Sequence, residues 1–590
     1  MRPVRVPRRR AVAAAAMSPT NSPRPSRSPE KALELKWGEA CRGAGCGLPP
    51  GVSISSHIDG GNIDVLGAVE DLTAGGGGGG GGAIPSAAEV RLAIHPDPYC
   101  DSDKTSHFMW FNFRVTGARG VPLRLRVVNA GQGSFPAAWA GYQAMASYDQ
   151  ERWFRVEGTS YDPASGELAI ELTPERDCVA LAYFPPFTTA QHERLLARTA
   201  AKEGVRLRVA GESLDGHDIA VLSFGEEADP ARTAAKLNVT LCCRQHPGET
   251  QVSCACVFVC GLPGKKIERA PAPSRPEKKR TTTIDQSINR EANNRSIERP
   301  TIDQSRGQHG DLTFSLPPLN PPHPSSFFIE NEHGDLPPLP SPPLPSPQAE
   351  WFAEGLADAL SDPHNPKARA LLRSAVVHLV PNACPDGASR GHLRTNSAGT
   401  NLNRAWKHVP GEMPDSDAAP EAYYLTRFMD ARPPDLLIDV HGDEELPHVF
   451  IAGAEGVPGF YKGDGSERDA DTPLGRKQAH LEKAMLRHLS DFQTAVGYAK
   501  DAPGGADMRI LSNAAAARYP GSLAVTLEMP YKRLKLPAGR MVPGGTAAVS
   551  GTGVELQEDW GPKRCARLGR DMVGVLLQMV PHLGAVSVAP

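Results

Sequence analysis

The sequence predicts an α/β domain, a central sheet with helices on both faces, preceded by a small antiparallel β-sandwich domain. Three observations carry that expectation. Apolar and polar residues alternate with period two between about Ile54 and Phe187, strand-like and helix-like stretches alternate from about Ala190 onward, and several of the later strand-like runs are apolar without interruption. Period two marks strands with one wet face. An uninterrupted apolar run of strand length fits a strand covered on both faces.

In the first region Phe111, Phe113 and Val115 alternate with Asn112 and Arg114. After the turn Gly117 to Gly120, Leu123, Leu125 and Val127 alternate with Arg124 and Arg126. Leu168/Ile170/Leu172 and Val179/Leu181/Tyr183 follow, so residues 54–187 are expected to form the sandwich. The second region, 188–251 and 349–590, opens with a helical stretch near Ala190 to Lys202. Its strand candidates are Val205 to Val209, Leu237 to Cys243, Ala375 to Val380, Leu436 to Val440, Val449 to Ala452 and Leu523 to Leu527. Leu481, Met485, Leu489, Phe492 and Val496 recur at three- and four-residue steps, predicting a helix from Leu474 to Val496. A last helix is expected from Arg564 to Leu577.

Composition limits the function classes. The chain has 590 residues and a formal charge of -3, so no global field directs it to nucleic acid or a membrane surface. No apolar run reaches the length of a bilayer span. The 11 cysteines lack the spacing of a disulfide framework, which fits a reducing compartment. A cytoplasmic monomer is expected. Residues 1–53 read as a disordered leader or, because seven arginines and no acid precede Glu30, as a plastid or mitochondrial transit segment. The glycine run 75–82 reads as a flexible loop.

One segment does not fit a compact domain. Residues 252–348 carry Cys254, Cys256 and Cys260, a basic Pro-rich stretch, the repeat TIDQS and a terminal run of Pro, Leu and Ser, too long for an ordinary structureless loop. Joining Gln251 to Ala349 restores a helix face of Ala349, Phe352, Leu356 and Leu360. Gln-Val-Ser at the start can be encoded by a splice-donor sequence, and a pyrimidine-rich run precedes a Gln codon at the end. The segment is therefore expected to be a retained intron, with a translated disordered insertion as the alternative; its cysteines are taken as spurious or structural.

The chemistry-bearing residues lie at the ends of the strand candidates. Leu237 to Cys243 leads into His246-Pro247-Gly248-Glu249, a His-x-x-Glu spacing able to aim an imidazole and a carboxylate at one metal ion. Alone it arises by chance in many chains. After Ala375 to Val380 come Arg394 and the pair Asn403-Arg404 on glycine-punctuated loops, where ligands of open α/β sheets gather. His441 ends Leu436 to Val440, and Glu528 ends Leu523 to Leu527. Three metal-type ligands, an acid and two arginines on successive strand ends are more than solvated surface.

In order and in wording, His246-Pro247-Gly248-Glu249, Pro385-Asp386-Gly387, Gly391-His392-Leu393-Arg394, Asn401-Leu402-Asn403-Arg404, Asp439-Val440-His441-Gly442-Asp443 and Thr526-Leu527-Glu528-Met529-Pro530 resemble the zinc carboxypeptidase family of metallopeptidases, within it the cytosolic carboxypeptidase branch. The resemblance runs from about Ile54 onward and implies that family's mixed central sheet; a β-sandwich before the catalytic domain marks the branch. It implies one Zn2+ held by His246, Glu249 and His441 with a position open for water. Glu528 would be the general base, Arg394 the oxyanion stabiliser, and Asn403 with Arg404 the grip on a C-terminal carboxylate. The activity implied is release of C-terminal residues from peptides or protein tails, including C-terminal or side-chain glutamates. Arg509 is weighed as a basic residue of the specificity pocket against a surface role. Asp439 is expected on the strand face opposite His441.

Two departures stand out. The family's Asn-Pro-Asp-Gly is replaced by Asn382-Ala383-Cys384-Pro385-Asp386-Gly387, which bears on the loop carrying Arg394. The substrate-capping tyrosine has only Tyr498 and Tyr519 as candidates. Two alternatives remain: an N-acyl-amino-acid deacylase of the aspartoacylase type, whose β domain follows the catalytic core instead of preceding it, and a catalytically inactive binding protein of the same fold.

Overall fold

The structure is a computed structural model that describes residues 48–69, 88–100, 107–251, 351–460, 472–535 and 557–584. The expected leader, glycine loop and insertion lie almost entirely outside them. Residues 48–187 form two packed five-stranded sheets. Their pairings are antiparallel except for Ala88–Ala93 against Leu123–Val127, which run parallel. Strand Leu123–Val127 shows the cause of its period: Leu123, Leu125 and Val127 are buried in the sandwich while Arg124 is exposed and Arg126 is half-buried.

The second region is built on a mixed seven-stranded sheet. Four parallel strands form its middle, in spatial order Ala375–Val380, Leu237–Cys243, Leu436–Asp443 and Leu523–Pro530. Antiparallel strands flank them: Asp218–Phe224 and Val205–Glu212 on one side, Phe450–Ala452 on the other. The parallel strands are buried along nearly their whole length because both faces are covered, and the polar residues they carry, Thr240, His378, Asp439 and Thr526 among them, are buried with them. Val239, Leu241 and Cys243 pack toward helices Trp351–Ser361 and Pro562–Leu583. Cys242 and Leu437 pack on the opposite face with Leu425 and Phe428 of helix Pro420–Asp430 and Leu511 of helix Leu511–Arg518. Helices Trp351–Ser361 and Pro562–Leu583 cross closely enough to require glycine: a Cβ on Gly355 would meet Ala566 O at 1.9 Å, and one on Gly569 would meet Phe352 O at 2.0 Å.

Phe352, Leu356 and Leu360 are buried along one helix, as the apolar spacing requires. The helix expected to reach Val496 ends at His488. Leu489 turns extended, Asp491 is drawn onto Arg564 and Arg567 at 2.9 and 3.0 Å, and Phe492 bridges beside Val449. The helical spacing of Leu489 and Phe492 thus reflects burial in a core that a turn also satisfies. Strand Asp218–Phe224 was not among the expected strands.

The two regions share one core and one buried clamp. Tyr183 of the sandwich and Tyr531 beyond the last parallel strand bring their rings to 4.7 Å. Arg155, on a sandwich strand, donates to Asp559 Oδ1 at 3.0 Å, to the carbonyls of Tyr531 and Trp560 at 3.0 and 2.7 Å, and to Gln143 O at 3.1 Å. Arg155→Ala strands the buried carbonyls of Tyr531 and Trp560, so it should cost roughly 2–4 kcal/mol. A urea unfolding midpoint equal to wild type would show that the clamp does not hold the junction.

Candidate functional site

Because the four central strands are parallel, their C-terminal ends share one edge of the sheet. Beyond Cys243 the backbone turns sharply at Arg244, whose φ of 56° lies in the left-handed region disfavoured for a side chain with a Cβ. The guanidinium offsets that strain by donating to Pro247 O at 3.0 Å and Phe187 O at 2.9 Å. The turn closes with Glu249 N–H donating to His246 O at 3.2 Å. It brings His246 Nδ1 to 3.1 Å from Glu249 Oε1. Gly248 lies against the Arg394 loop, its N–H donating to Leu393 O at 3.0 Å; an added Cβ would meet Leu393 Cα and O at 3.0 Å.

His441 and Glu528 are direct partners across the neighbouring parallel strands. Both are fully buried, as are His246 and Glu249. One ligand atom from each of His246, Glu249 and His441 falls within 4.8 Å of the others. The two imidazoles are backed on their far nitrogens. His246 Nε2 lies 3.0 Å from Asn401 Oδ1, and His441 Nε2 lies 2.6 Å from Asp439 Oδ2. Asp439 is itself held by Gln245 Nε2 at 2.6 Å, and Gln245 Oε1 accepts from Trp406 Nε1 at 2.7 Å.

The expectation for Asp439 therefore fails, for an elementary reason: residues two apart on a strand share a face. The oxygen acceptor behind His246 Nε2 favours the tautomer that leaves Nδ1 as the lone pair, while His441 Nε2 lies beside both Asp439 Oδ2 and, at 3.4 Å, the amide nitrogen of Gln245. Burial, followed by the charge of Arg394, holds both imidazoles well below the ordinary histidine range. Two neutral imidazole nitrogens and one carboxylate, all buried and converging, are a donor set that fits zinc.

The six-residue Asn382 to Gly387 stretch keeps its place through hydrogen bonds. Ala383 N–H donates to Cys243 O at 2.8 Å and Cys384 N–H to Asn382 Oδ1 at 3.0 Å. Asp386 accepts from Ser213 Oγ, from Asp215 N–H at 2.9 Å and from Ser397 Oγ at 2.8 Å, with His217 Nδ1 at 2.9 Å. Burial pushes this carboxyl up, but those partners outweigh it and hold it below the ordinary range.

Arg394 is buried, its guanidinium carbon 5.9 Å from the centroid of the Phe135 ring of the sandwich. Asn403 is buried, with Oδ1 accepting from Leu511 N–H at 2.9 Å and Nδ2 making no hydrogen bond among the described residues. Arg404 leans toward the rim, its Nε 3.4 Å from Asp507 Oδ2. Arg509 is 65% exposed and grips the same Asp507 at 2.9 and 3.0 Å, which places it on the surface. Tyr498 donates to Asp443 Oδ2 at 2.6 Å, two residues beyond His441. Tyr519 is tied to Asp430 at 3.0 Å, at the end of helix Pro420–Asp430. Of the two, Tyr498 is the one bonded to the His441 strand.

Residues 54–184 match the family described as cytosolic carboxypeptidase N-terminal domain, and residues 345–531 match zinc carboxypeptidase. The chain belongs to the zinc carboxypeptidase family, in its cytosolic carboxypeptidase branch. A metallo-carboxypeptidase from Pseudomonas aeruginosa, solved with (2-guanidinoethylmercapto)succinic acid, superposes with TM-score 0.60 at 29% identity, covering 90% of this chain and 100% of that one. One from Burkholderia cenocepacia does so with TM-score 0.60 at 26% identity, covering 90% and 99%. An uncharacterized protein, ZMO1242, of Zymomonas mobilis is 29% identical over 82% of this chain and 90% of its own length. The human cytosolic carboxypeptidase-like protein 5 is 41% identical over 58 residues, 10% of this chain and 6% of its own.

Within the site the residues that sequence did not single out are Arg244, Gln245, Asn401 and Asp97. Asn401 and Gln245 sit in or beside recognised motifs and could have been found from them. Arg244 and Asp97 had no such signal.

A buried acid also links the Arg394 loop to helix Pro420–Asp430: Asn396 Nδ2 donates to Glu421 Oε2 at 3.1 Å. Burial raises the Glu421 carboxyl to about 7. Its folded state binds the proton more tightly than the unfolded one, so its contribution to stability is complete below about pH 4.5 and declines as pH rises to about 7. The shift corresponds to about 3 kcal/mol. Glu421→Gln should flatten the stability profile between those pH values and stabilise the protein above pH 7; urea midpoints with an unchanged pH slope would refute this.

Proposed function

We propose that the protein is a zinc-dependent carboxypeptidase that releases C-terminal residues from peptides or protein tails. The observation that carries this is the convergence of His246, Glu249 and His441 beside Glu528, at the shared edge of the parallel strands. His246, Glu249 and His441 would hold one zinc ion. Zinc in such a site acidifies water to a pKa of about 7 and polarises a carbonyl. Glu528, held next to His441 by strand register, takes a proton from the attacking water and returns it to the leaving amine. Arg394, in a buried loop, places a fixed positive charge where the carbonyl oxygen becomes anionic. Asn403 and Arg404 bind the terminal carboxylate.

The charges of Arg394 and Arg404 favour anionic tails, so C-terminal and side-chain glutamates lead the substrate panel. The β domain preceding the catalytic sheet favours this activity over a deacylase. Residues 252–348 are proposed to be a retained intron, since the described residues bounding them, Gln251 and Trp351, are both buried; loops ordinarily depart from the surface. Long-read transcripts that never join codons 251 and 349 would refute it.

The test is residue release, followed by mass spectrometry, from peptides differing only in the C-terminal residue. The full chain and a form lacking 252–348 are assayed with and without a chelator. Zinc-dependent loss of single terminal residues is expected. Glu528→Gln should lower kcat by about 10²- to 10⁴-fold with zinc content unchanged, whereas His441→Ala should lose zinc. Substantial turnover by Glu528→Gln would remove it as the base, and no release by a folded, zinc-loaded protein would shift the assignment to a binding role.

A further inference from the structure

One acid of the sandwich binds the backbone of the Arg394 loop directly. Asp97, just beyond strand Ala88–Ala93, is buried against the loop that carries Arg394. Its Oδ1 accepts the N–H of Leu393 at 2.7 Å, and its Oδ2 accepts the N–H groups of Arg394 and Thr395 at 2.8 and 3.0 Å and the Thr395 hydroxyl at 3.0 Å. A carboxylate that binds three consecutive main-chain N–H groups fixes the backbone of the middle residue, and so the direction in which its side chain leaves. That middle residue is Arg394.

Further contacts of the sandwich with this loop and the helix before it act together with Asp97. Gly60 N–H donates to Ser389 O at 2.9 Å, and Asn62 Nδ2 to Gly391 O at 3.1 Å. Phe135 lies against the Arg394 guanidinium. Asp97 is anchored in turn, its N–H donating to His107 O at 2.7 Å.

We propose that Asp97 is a positioning residue for the reaction, acting through Arg394, so that the β-sandwich is a working part of the active site. This rests on the oxyanion role given to Arg394 above. A purely structural acid would lower stability and slow the enzyme whether or not Arg394 were present. A positioning acid has no effect once the group it positions is gone.

The experiment compares the full-length chain as wild type, Asp97→Asn, Arg394→Ala and the double variant. Readouts are kcat and KM on the best-cleaved peptide, zinc content, and amide hydrogen exchange of the segment containing 393–395. Asp97→Asn should reduce kcat about 10- to 100-fold with KM changed by less than about threefold; Arg394→Ala should reduce it about 10²- to 10³-fold. The double variant should be no slower than Arg394→Ala alone. Exchange at 393–395 should rise at least about tenfold in Asp97→Asn, with zinc content and exchange of strand Leu436–Asp443 unchanged.

Losses that multiply in the double variant, or unchanged exchange at 393–395, would overturn the proposal. Wild-type kcat in Arg394→Ala would instead overturn the role assigned to Arg394, and the proposal with it. Should Asp97→Asn fail to fold, Thr395→Val removes only the hydroxyl bond. It should slow wild type by about two- to fivefold and leave Arg394→Ala unaffected; equal slowing in both would again overturn the proposal.

Discussion

Burying two imidazoles and two carboxylates side by side is the constraint that the rest of the structure answers. His246, Glu249, His441 and Glu528 are all inaccessible to solvent, and an uncompensated charge in such a place costs several kcal/mol. The protein meets part of that cost from behind. Asn401 takes the far nitrogen of His246, Asp439 lies 2.6 Å behind that of His441, and Gln245 and Trp406 form a chain of bonds behind Asp439. Burial and Arg394 keep the rings neutral, so they bring lone pairs and no charge. A divalent cation would compensate the carboxylates from the front. A site arranged in this way is more costly empty than filled, which is how a fold selects for its metal.

The same economy explains why the sandwich cannot be regarded as an appendage. The Arg394 loop has no regular secondary structure between helix Pro385–Arg390 and the short 3-10 turn Leu402–Arg404. Its main-chain N–H groups therefore need acceptors from elsewhere, and Asp97 provides them for three consecutive residues. Arg155, Tyr183 and Tyr531 then bind the two regions over a wide, buried contact. The cost of leaving these groups unpaired couples the docking of the sandwich to the shape of the catalytic edge.

The central sheet was readable in the sequence because strands buried on both faces are mostly apolar and chemistry gathers where parallel strands end. His246, Glu249, His441 and Glu528 stand on such ends, so residue type and position reinforced one another. What escaped was set by tertiary contact alone. Arg244 adopts a left-handed backbone that nothing local to it signals. Asp97 lies almost 300 residues from the loop it binds, in a stretch whose alternation speaks only of strands. The helix expected to reach Val496 failed because Leu489 and Phe492 are buried for another reason, the docking of Asp491 onto Arg564 and Arg567. Asp439 stands behind His441 because residues two apart on a strand share a face.

Arg404 stands at the rim of the site in a shared arrangement of charges. Asp507 is shared by two arginines, but unequally: Arg509 holds both of its oxygens at 2.9 and 3.0 Å, whereas Arg404 approaches only to 3.4 Å. Burial pushes the Asp507 carboxyl up, yet Arg509 and Arg404 together hold it below the ordinary range, so it stays ionised at neutral pH. One carboxylate between two guanidinium groups leaves a net positive charge, and the group farther from it, Arg404, is the one that adjoins Asn403, donating through Nη1 to Asn403 O at 2.6 Å. A carboxylate arriving beside the Asn403 amide would exchange a long ion pair for a shorter, charge-assisted one, while Asp507 keeps its bidentate partner. Arg509, though it sits on the surface, would then act at the site indirectly by occupying the acid that would otherwise neutralise Arg404.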